Sequence, residues 1–181
     1  MRYILVEGFP TEADPDFKET NINHLVYATI SSILEKSILT TGRKILRLRS
    51  EKEIVPTDGE TGSTEEFVMV DLISVKKERF ILIVEAKRSS LGQAMKQCLL
   101  AMKDMSDNNG GGEVYGFVIT GKGWQMLRYD GVSFQMTEEM VVLFYTMGED
   151  KSRWMRDYSI LVDYISVALS SGGIVKKNVV V

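Results

Sequence analysis

The stretch that decides the fold reads VMVDLISV at 68–75, KKER at 76–79 and FILIVEAKR at 80–88. Two apolar runs on either side of a short charged segment predict a β-hairpin. Neither run alternates apolar with polar residues, so we expect both strands to be covered on both faces.

Three charged side chains interrupt the apolar runs of this hairpin. Asp71 lies within the first run, and Glu85 and Lys87 lie at the end of the second. Residues two apart on a strand share a face, so Glu85 and Lys87 should point the same way. A three-residue loop would put Asp71 directly opposite Glu85, whereas a two-residue loop would shift this register by one.

The chemistry of a paired Asp71 and Glu85 favours a bound cation. An unpaired carboxylate is costly to bury, and two neighbouring carboxylates repel each other. A divalent cation such as Mg²⁺ removes both costs, because hard cations bind carboxylate oxygens. A lysine on the same face can then position or deprotonate a water molecule. The alternative is a structural aspartate and an ordinary Glu/Lys pair at a strand end.

An aspartate on one strand and Glu-x-Lys on the next resemble the PD-(D/E)XK nuclease superfamily. The resemblance covers roughly residues 16–120, where the expected elements are a helix, three strands, a helix and a further strand. Residues 83–88, followed by a helix that carries a glutamine, resemble the variants abundant in fungal genomes. The resemblance implies an α/β fold of restriction-endonuclease-like architecture, in which helices flank a mixed central sheet in three layers around an αβββαβ core.

The same resemblance implies a metal-dependent nuclease that hydrolyses phosphodiester bonds. Asp71, Glu85 and Glu19 would bind Mg²⁺ or Mn²⁺, with the backbone carbonyl of Ala86 as a further ligand. Lys87 would position or activate the attacking water. Gln97 would be a supporting residue, because related nucleases often have a glutamine on this helix. The alternative function is a catalytically inactive binding or effector-type domain that keeps the fold.

The first helix supplies Glu19 through its apolar stripe. We expect this helix to begin near Asp16, capped by Asp14 or Asp16, and to end at Gly42. Its stripe consists of Ile22, Leu25, Val26, Ile30, Ile33 and Leu34. Glu19 falls on this stripe, whereas Glu35 falls on the opposite face. The alternative is that Glu19 only stabilises the helix dipole.

Composition limits the class of protein. The 181 residues predict a single domain over 1–181, with a net charge of −3. One cysteine, Cys98, excludes an internal disulfide framework, and with a single histidine, His24, it argues against a zinc site. The sequence contains no apolar run of membrane-spanning length and no secretory signal, so we expect an intracellular protein, cytoplasmic or nuclear.

Basic residues near the second element are candidate contacts to nucleic acid. We expect residues 43–54 to form a strand, with Arg47 and Arg49 on one face. Together with Arg88, they could contact a phosphate backbone, and DNA is the expected partner rather than RNA. The alternative is an edge strand protected by charge. The acidic balance argues against a protein that coats nucleic acid.

The remaining patterns complete the expected order of elements. Residues 56–65 should form a loop, and Ser89 or Ser90 should cap a second helix whose buried face is Leu91, Ala94, Met95, Cys98, Leu99, Met102 and Met105. A strand at 114–120, a hairpin around Asp130-Gly131 and a helix over about 152–169 should follow. The strand-like tail 174–181 could pair with another chain, which leaves a homodimer open.

Overall fold

The structure, a computed structural model, describes Val6 and residues 18–59, 62–87, 91–120, 122–144 and 150–174. The elements follow in chain order: α1 (Glu19–Thr41), β1 (Leu46–Ile54), β2 (Ser63–Ser74), β3 (Lys77–Ala86), α2 (Leu91–Asn109), β4 (Val114–Thr120), β5 (Gly123–Tyr129), β6 (Phe134–Met136), β7 (Met140–Val141) and α3 (Lys151–Ser171). None of the described helices is long and apolar enough to cross a membrane.

The strands of the described chain form one mixed sheet of seven strands. Their order is β1-β2-β3-β4-β5-β6, and β7 pairs with the start of β5. Strands β3 and β4 pair in parallel, and the other pairings are antiparallel. The expected α/β class with a mixed central sheet is therefore confirmed. A parallel pair needs a long crossover, which α2 provides between β3 and β4.

Helices cover both faces of the sheet and enclose two hydrophobic clusters. One face packs against α1 and α3, and the other packs against α2. Residues 81–86 of β3 and 114–119 of β4 are buried without alternation, as expected for central strands covered on both sides. The approach of α2 is close at Gly116, where a β-carbon would lie 2.5 Å from the sulfur of Cys98. Glycine at this position therefore allows the helix to pack against the sheet.

Helix α1 packs against the sheet with the apolar stripe that predicted it. Ile22, Leu25, Val26, Ile30 and Leu34 are buried, and Ile33 is half-buried. The helix ends at Gly42, whose φ of 68° is left-handed and whose N–H donates to the carbonyl of Ile38. Asp14 and Asp16, predicted as caps, lie outside the described residues.

The hairpin exists, but its predicted register is wrong. The turn consists of Val75 and Lys76 rather than a loop centred near residue 78. As a result, Asp71 pairs with Arg79, which lies six residues before Glu85. Six strand residues span about 20 Å, so Asp71 and Glu85 do not face each other. The charged residues 77–79 form the first part of β3 and not a loop. Their charges are tolerated there because this end of the hairpin is exposed.

Two smaller predictions also need correction. Strand β2 begins at Ser63, so residues 63–65 belong to a strand and not to the predicted loop. Leu91, expected on the buried face of α2, is 38% exposed. The predicted caps Ser89 and Ser90, and the tail beyond Ile174, lie outside the described residues.

Candidate functional site

A cluster of charged side chains lies where the two central parallel strands end. Ala86 at the end of β3 pairs with Ile119 near the end of β4, and the N–H of Lys87 donates to the Ile119 carbonyl at 2.9 Å. The carboxyl ends of parallel strands are the usual position of ligand sites in α/β sheets. Glu85 near the end of β3 and Lys87 just after it therefore lie at this end of the sheet.

Lys87 binds two carboxylates that come from different elements. Its ammonium nitrogen lies 2.9 Å from Oε1 of Glu66 on β2 and 3.2 Å from Oε1 of Glu19 on α1. The other oxygen of Glu66 accepts the N–H of Ala86 at 2.9 Å. The structure therefore brings Glu19 to the end of β3, and Glu66 joins Lys87 to the backbone next to Glu85.

The carboxylates keep the Lys87 amine charged. Burial alone would lower its pKa, but the hydrogen bonds and attraction from Glu66 and Glu19 outweigh burial and raise the pKa above its ordinary value. Burial raises the pKa of Glu66, and the Lys87 and Ala86 donors partly oppose this rise. Lys87 is therefore an ammonium at neutral pH in this arrangement.

Glu85 is buried in an environment that disfavours its negative charge. The residue is 2% exposed, and its Oε1 has no hydrogen-bond partner among the described residues. Burial, a hydrogen bond with Glu65 and the charges of Glu65 and Glu66 raise the Glu85 pKa from 4.5 to about 9. Glu85 therefore holds a proton at neutral pH and faces Glu65.

The pairing of β1 with β2 lacks one residue pair beside Glu65 but keeps its register. The pairing runs regularly up to Ser50 with Phe67 and resumes at Lys52 with Glu65, while Glu51 between them has a φ of 49°. Phe67 packs on the α1 side, whereas the charge of Glu65 acts on Cys98 on the α2 side. Glu65 therefore lies close enough to α2 to contribute to the raised pKa of the Cys98 thiol.

Asp71 does not belong to this cluster, which corrects its predicted role as a metal ligand beside Glu85. It is 4% exposed, and both of its oxygens accept from the guanidinium of Arg43, with the Nε–Oδ1 distance at 2.9 Å. Arg43 also donates to the carbonyl of Leu169 at the end of α3. Asp71 thus has a protein cation as its partner and connects three elements.

The carboxylates of Glu65 and Glu85 are oxygen donors of the kind that hard cations bind. Glu65 and Glu85 provide carboxylate oxygens, and the Oε1 atoms of Glu85 and Gln97 are buried without a hydrogen-bond partner in the described chain. Burial and the charges of Glu85 and Glu65 raise the pKa of the Cys98 thiol on the facing helix α2, whereas no described contact joins Gln97 to these glutamates. However, no three His, Cys, Asp or Glu side chains of the described residues are arranged to hold a metal ion. A cation would bind here only after Glu85 loses its proton.

Arg47 and Arg49, the predicted contacts to nucleic acid, both bind groups of the protein itself. Arg47 donates to the carbonyls of Lys44 and Leu46 at 2.7 Å, and therefore covers part of the free edge of β1. Arg49 and Lys52 both form ion pairs with Glu78 near the tip of the hairpin. Arg88, the third predicted contact to nucleic acid, lies outside the described residues.

Comparison of the chain with protein-family models, with curated proteins and with solved structures finds no match.

The buried proton of Glu85 predicts how stability depends on pH. The folded protein holds this proton up to about pH 9, whereas an unfolded carboxyl releases it near 4.5. Raising the pH through this interval should therefore lower the free energy of unfolding. Each unit by which the pKa of Glu85 in the folded protein exceeds its pKa in the unfolded protein is worth about 1.4 kcal/mol. Thermal unfolding of metal-free protein at pH 5 and pH 8.5 measures this change.

The substitution Glu85→Gln should reduce this loss, because glutamine carries no titrating proton. Glu35→Gln, at an exposed position of α1, is the matched control and should keep the wild-type pH dependence. Equal pH dependence in wild type and Glu85→Gln would show that Glu85 ionises normally.

Proposed function

We propose that the protein is a Mg²⁺-dependent nuclease that hydrolyses phosphodiester bonds in nucleic acid, with DNA as the favoured substrate. The observation that carries this proposal is the convergence of Glu65, Glu66, Glu85, Lys87 and Glu19 at the carboxyl end of the central parallel strands. The similarity of the chain's element order and Glu-x-Lys sequence to the PD-(D/E)XK superfamily also supports it. That similarity provides the substrate class and the restriction-endonuclease-like architecture by analogy.

Glu85 and Glu65 would hold the metal ion, with the backbone carbonyl of Ala86 as a further oxygen. Glu19 would contact the ion directly or through a water molecule. When bound, Mg²⁺ would supply Lewis-acid stabilisation of the phosphate and a more acidic water, and Mn²⁺ could replace it. Asp71 has no part in this set, because Arg43 already neutralises it.

Lys87 would act through its charge. Its raised pKa keeps the side chain protonated, so an electrostatic contact to the phosphate or to the attacking water fits better than proton abstraction by a free amine. The ammonium lies between Glu66 and Glu19, both of which fix its position. The side chain is 20% exposed, so a substrate can reach it.

A specific observation also favours the second candidate, a binding or effector-type domain without catalysis. The Lys87 ammonium already forms ion pairs with two protein carboxylates. The protonated carboxyl of Glu85 can donate a hydrogen bond to Glu65. These side chains are partners for one another, so the cluster can form without a bound metal ion. The chain's net charge of −3 and the ion pairing of Arg49 also give little positive surface for nucleic acid.

A cleavage assay distinguishes the two candidates. Purified protein is incubated with single-stranded DNA, double-stranded DNA and RNA in the presence of Mg²⁺, Mn²⁺ or EDTA. The nuclease proposal predicts cleavage with Mg²⁺ or Mn²⁺ and none with EDTA. Glu85→Gln, prepared identically, should be inactive, which excludes a contaminating nuclease. Nucleic-acid binding without cleavage under any condition would support the second candidate.

A further inference from the structure

A groove beside the edge of the sheet has no part in the proposed active site. Strand β1 is the first strand of the sheet and pairs with β2, so its other side has no partner strand among the described residues. Between β1 and helix α1 lies a groove of about 270 Å³, lined by Leu48 of β1 and by six residues of α1. Two of these, Leu39 and Tyr27, are 76% and 50% exposed. An apolar groove beside an unpaired strand is a surface on which extended chain can bind.

The end of α3 lies close to this groove, because α1 and α3 pack on the same face of the sheet. After α3, the N–H of Gly173 donates to the carbonyl of Glu113 at 2.7 Å, and a β-carbon on Gly173 would lie 3.0 Å from the carbonyl oxygen of Phe80. Phe80 of β3 pairs with Val70, which pairs with Arg47 of β1. Since neighbouring strands are about 4.8 Å apart, Gly173 beside β3 is about 10 Å from β1.

The residues that follow Ile174 have a sequence that suits the groove. They read VKKNVVV at 175–181 and lie outside the described residues. Seven extended residues span about 23 Å, so about three of them would cover the distance to β1 and the others would reach the groove. The polar residues 176–178 would then pass the exposed end of the sheet, and the three valines at 179–181 would meet the apolar lining.

We propose that residues 175–181 fold back on their own chain and place the valines at 179–181 in the groove between α1 and β1. The side chain of Arg47 covers the carbonyls of Lys44 and Leu46, so the valines would lie beside Leu48 rather than at the start of β1. Bound there, they would cover Leu39 and Leu48 and protect the edge of the sheet from pairing with other molecules. The segment reaches the groove of its own chain, so a second copy is not needed.

Disulfide trapping measures where the segment lies. Val180→Cys is combined with Leu39→Cys in the groove, or with Val167→Cys, the matched control at an exposed position of α3. Val167 is four residues before the end of α3 at Ser171, about 6 Å along the helix, so an unbound segment would meet it at least as often as Leu39. Both proteins are reduced and then oxidised in a glutathione buffer, and peptide mass spectrometry identifies the disulfides. Buried Cys98 is common to both proteins.

The disulfide between positions 39 and 180 should form within one chain and about tenfold faster than the disulfide between positions 167 and 180, since burial of one valine contributes at least this factor to an equilibrium. Hydrogen exchange gives a second measurement that needs no cysteine. Deletion of residues 175–181 should accelerate amide exchange in residues 46–50 of β1 by about the same factor. Val180→Asp should have the same effect as the deletion, whereas Lys177→Ala, in the polar part of the segment, should have none.

Three results would overturn the proposal. The first is an equal rate of disulfide formation in the two cysteine pairs. The second is unchanged amide exchange in β1 after the deletion. The third is a covalent dimer linked through positions 39 and 180, which would assign the groove to a second copy of the chain. None of these measurements involves nucleic acid or a metal ion, so their result is independent of the proposed nuclease activity.

Discussion

Lys87→Ala is expected to slow metal-dependent cleavage by about 10²–10³-fold, the usual effect of removing one oriented electrostatic contact at a reacting centre. The ammonium is the cation that Glu66 and Glu19 hold at the end of β3. Its side chain lies outside both hydrophobic clusters, so the fold should remain. Stability should decrease by about 1–3 kcal/mol, because Glu66 keeps its charge without its hydrogen-bonded partner.

The measurement therefore needs activity per folded molecule, taken well below the melting temperature of the variant. Lys103→Ala is the matched control, since Lys103 forms an exposed ion pair with Asp107 on α2 and should affect neither quantity. Full activity of Lys87→Ala together with a lower melting temperature would assign Lys87 a purely structural role.

Asp71→Asn is expected to lower the free energy of unfolding by about 3–5 kcal/mol, the range for breaking a buried ion pair by removing one partner. Asp71 is buried, and Arg43 joins it to the carbonyl of Leu169, so the pair connects the α1–β1 connection, β2 and α3. Cleavage per folded molecule should stay near that of wild type, because this ion pair is about 20 Å from Glu85 along the strand.

Urea unfolding of wild type and variant measures this change. Glu78→Gln provides the comparison, since Glu78 binds Arg49 and Lys52 in a more exposed position and should cost about 0–1 kcal/mol. If Asp71→Asn proved as stable as wild type but inactive, Asp71 would belong to the functional site after all.

The helices and the hairpin were predictable because their side-chain periods are local. The stripe of α1 is set by residues three and four apart, and Gly42 ends the helix by adopting a left-handed conformation. The two strands of the hairpin are buried on both faces, and their lack of alternation indicates this directly.

The register of the hairpin was not predictable from charge alone. Residues 77–79 are charged, which is typical of a loop, yet they pair with β2 because that part of the ribbon extends to an exposed tip. The partner of Asp71 was also invisible, because Arg43 lies 28 residues earlier and contacts it only through the tertiary fold. Long-range ion pairs of this kind leave no local pattern in a sequence.

Glu65 was missed because it was assigned to a polar loop, and Glu66 because it lies between that loop and the apolar run that begins at Val68. One signal could have found them. In an antiparallel hairpin, the end of the second strand lies beside the start of the first. The partners of Glu85 must therefore come from the start of β2, where Glu65 and Glu66 stand, and not from its middle, where Asp71 stands.

The burial of Cys98 between α2 and the sheet makes the protein convenient for site-specific labelling. Its sulfur lies against Gly116 and Met102, and burial raises the pKa of its thiol well above the ordinary value. Maleimides and similar reagents react with exposed thiolates. The single native cysteine is buried, so it should not compete with a cysteine introduced at the surface. A fluorophore attached to a cysteine introduced near the end of β3 would then report on the carboxyl end of the central strands alone. Cys98 would not have to be replaced first.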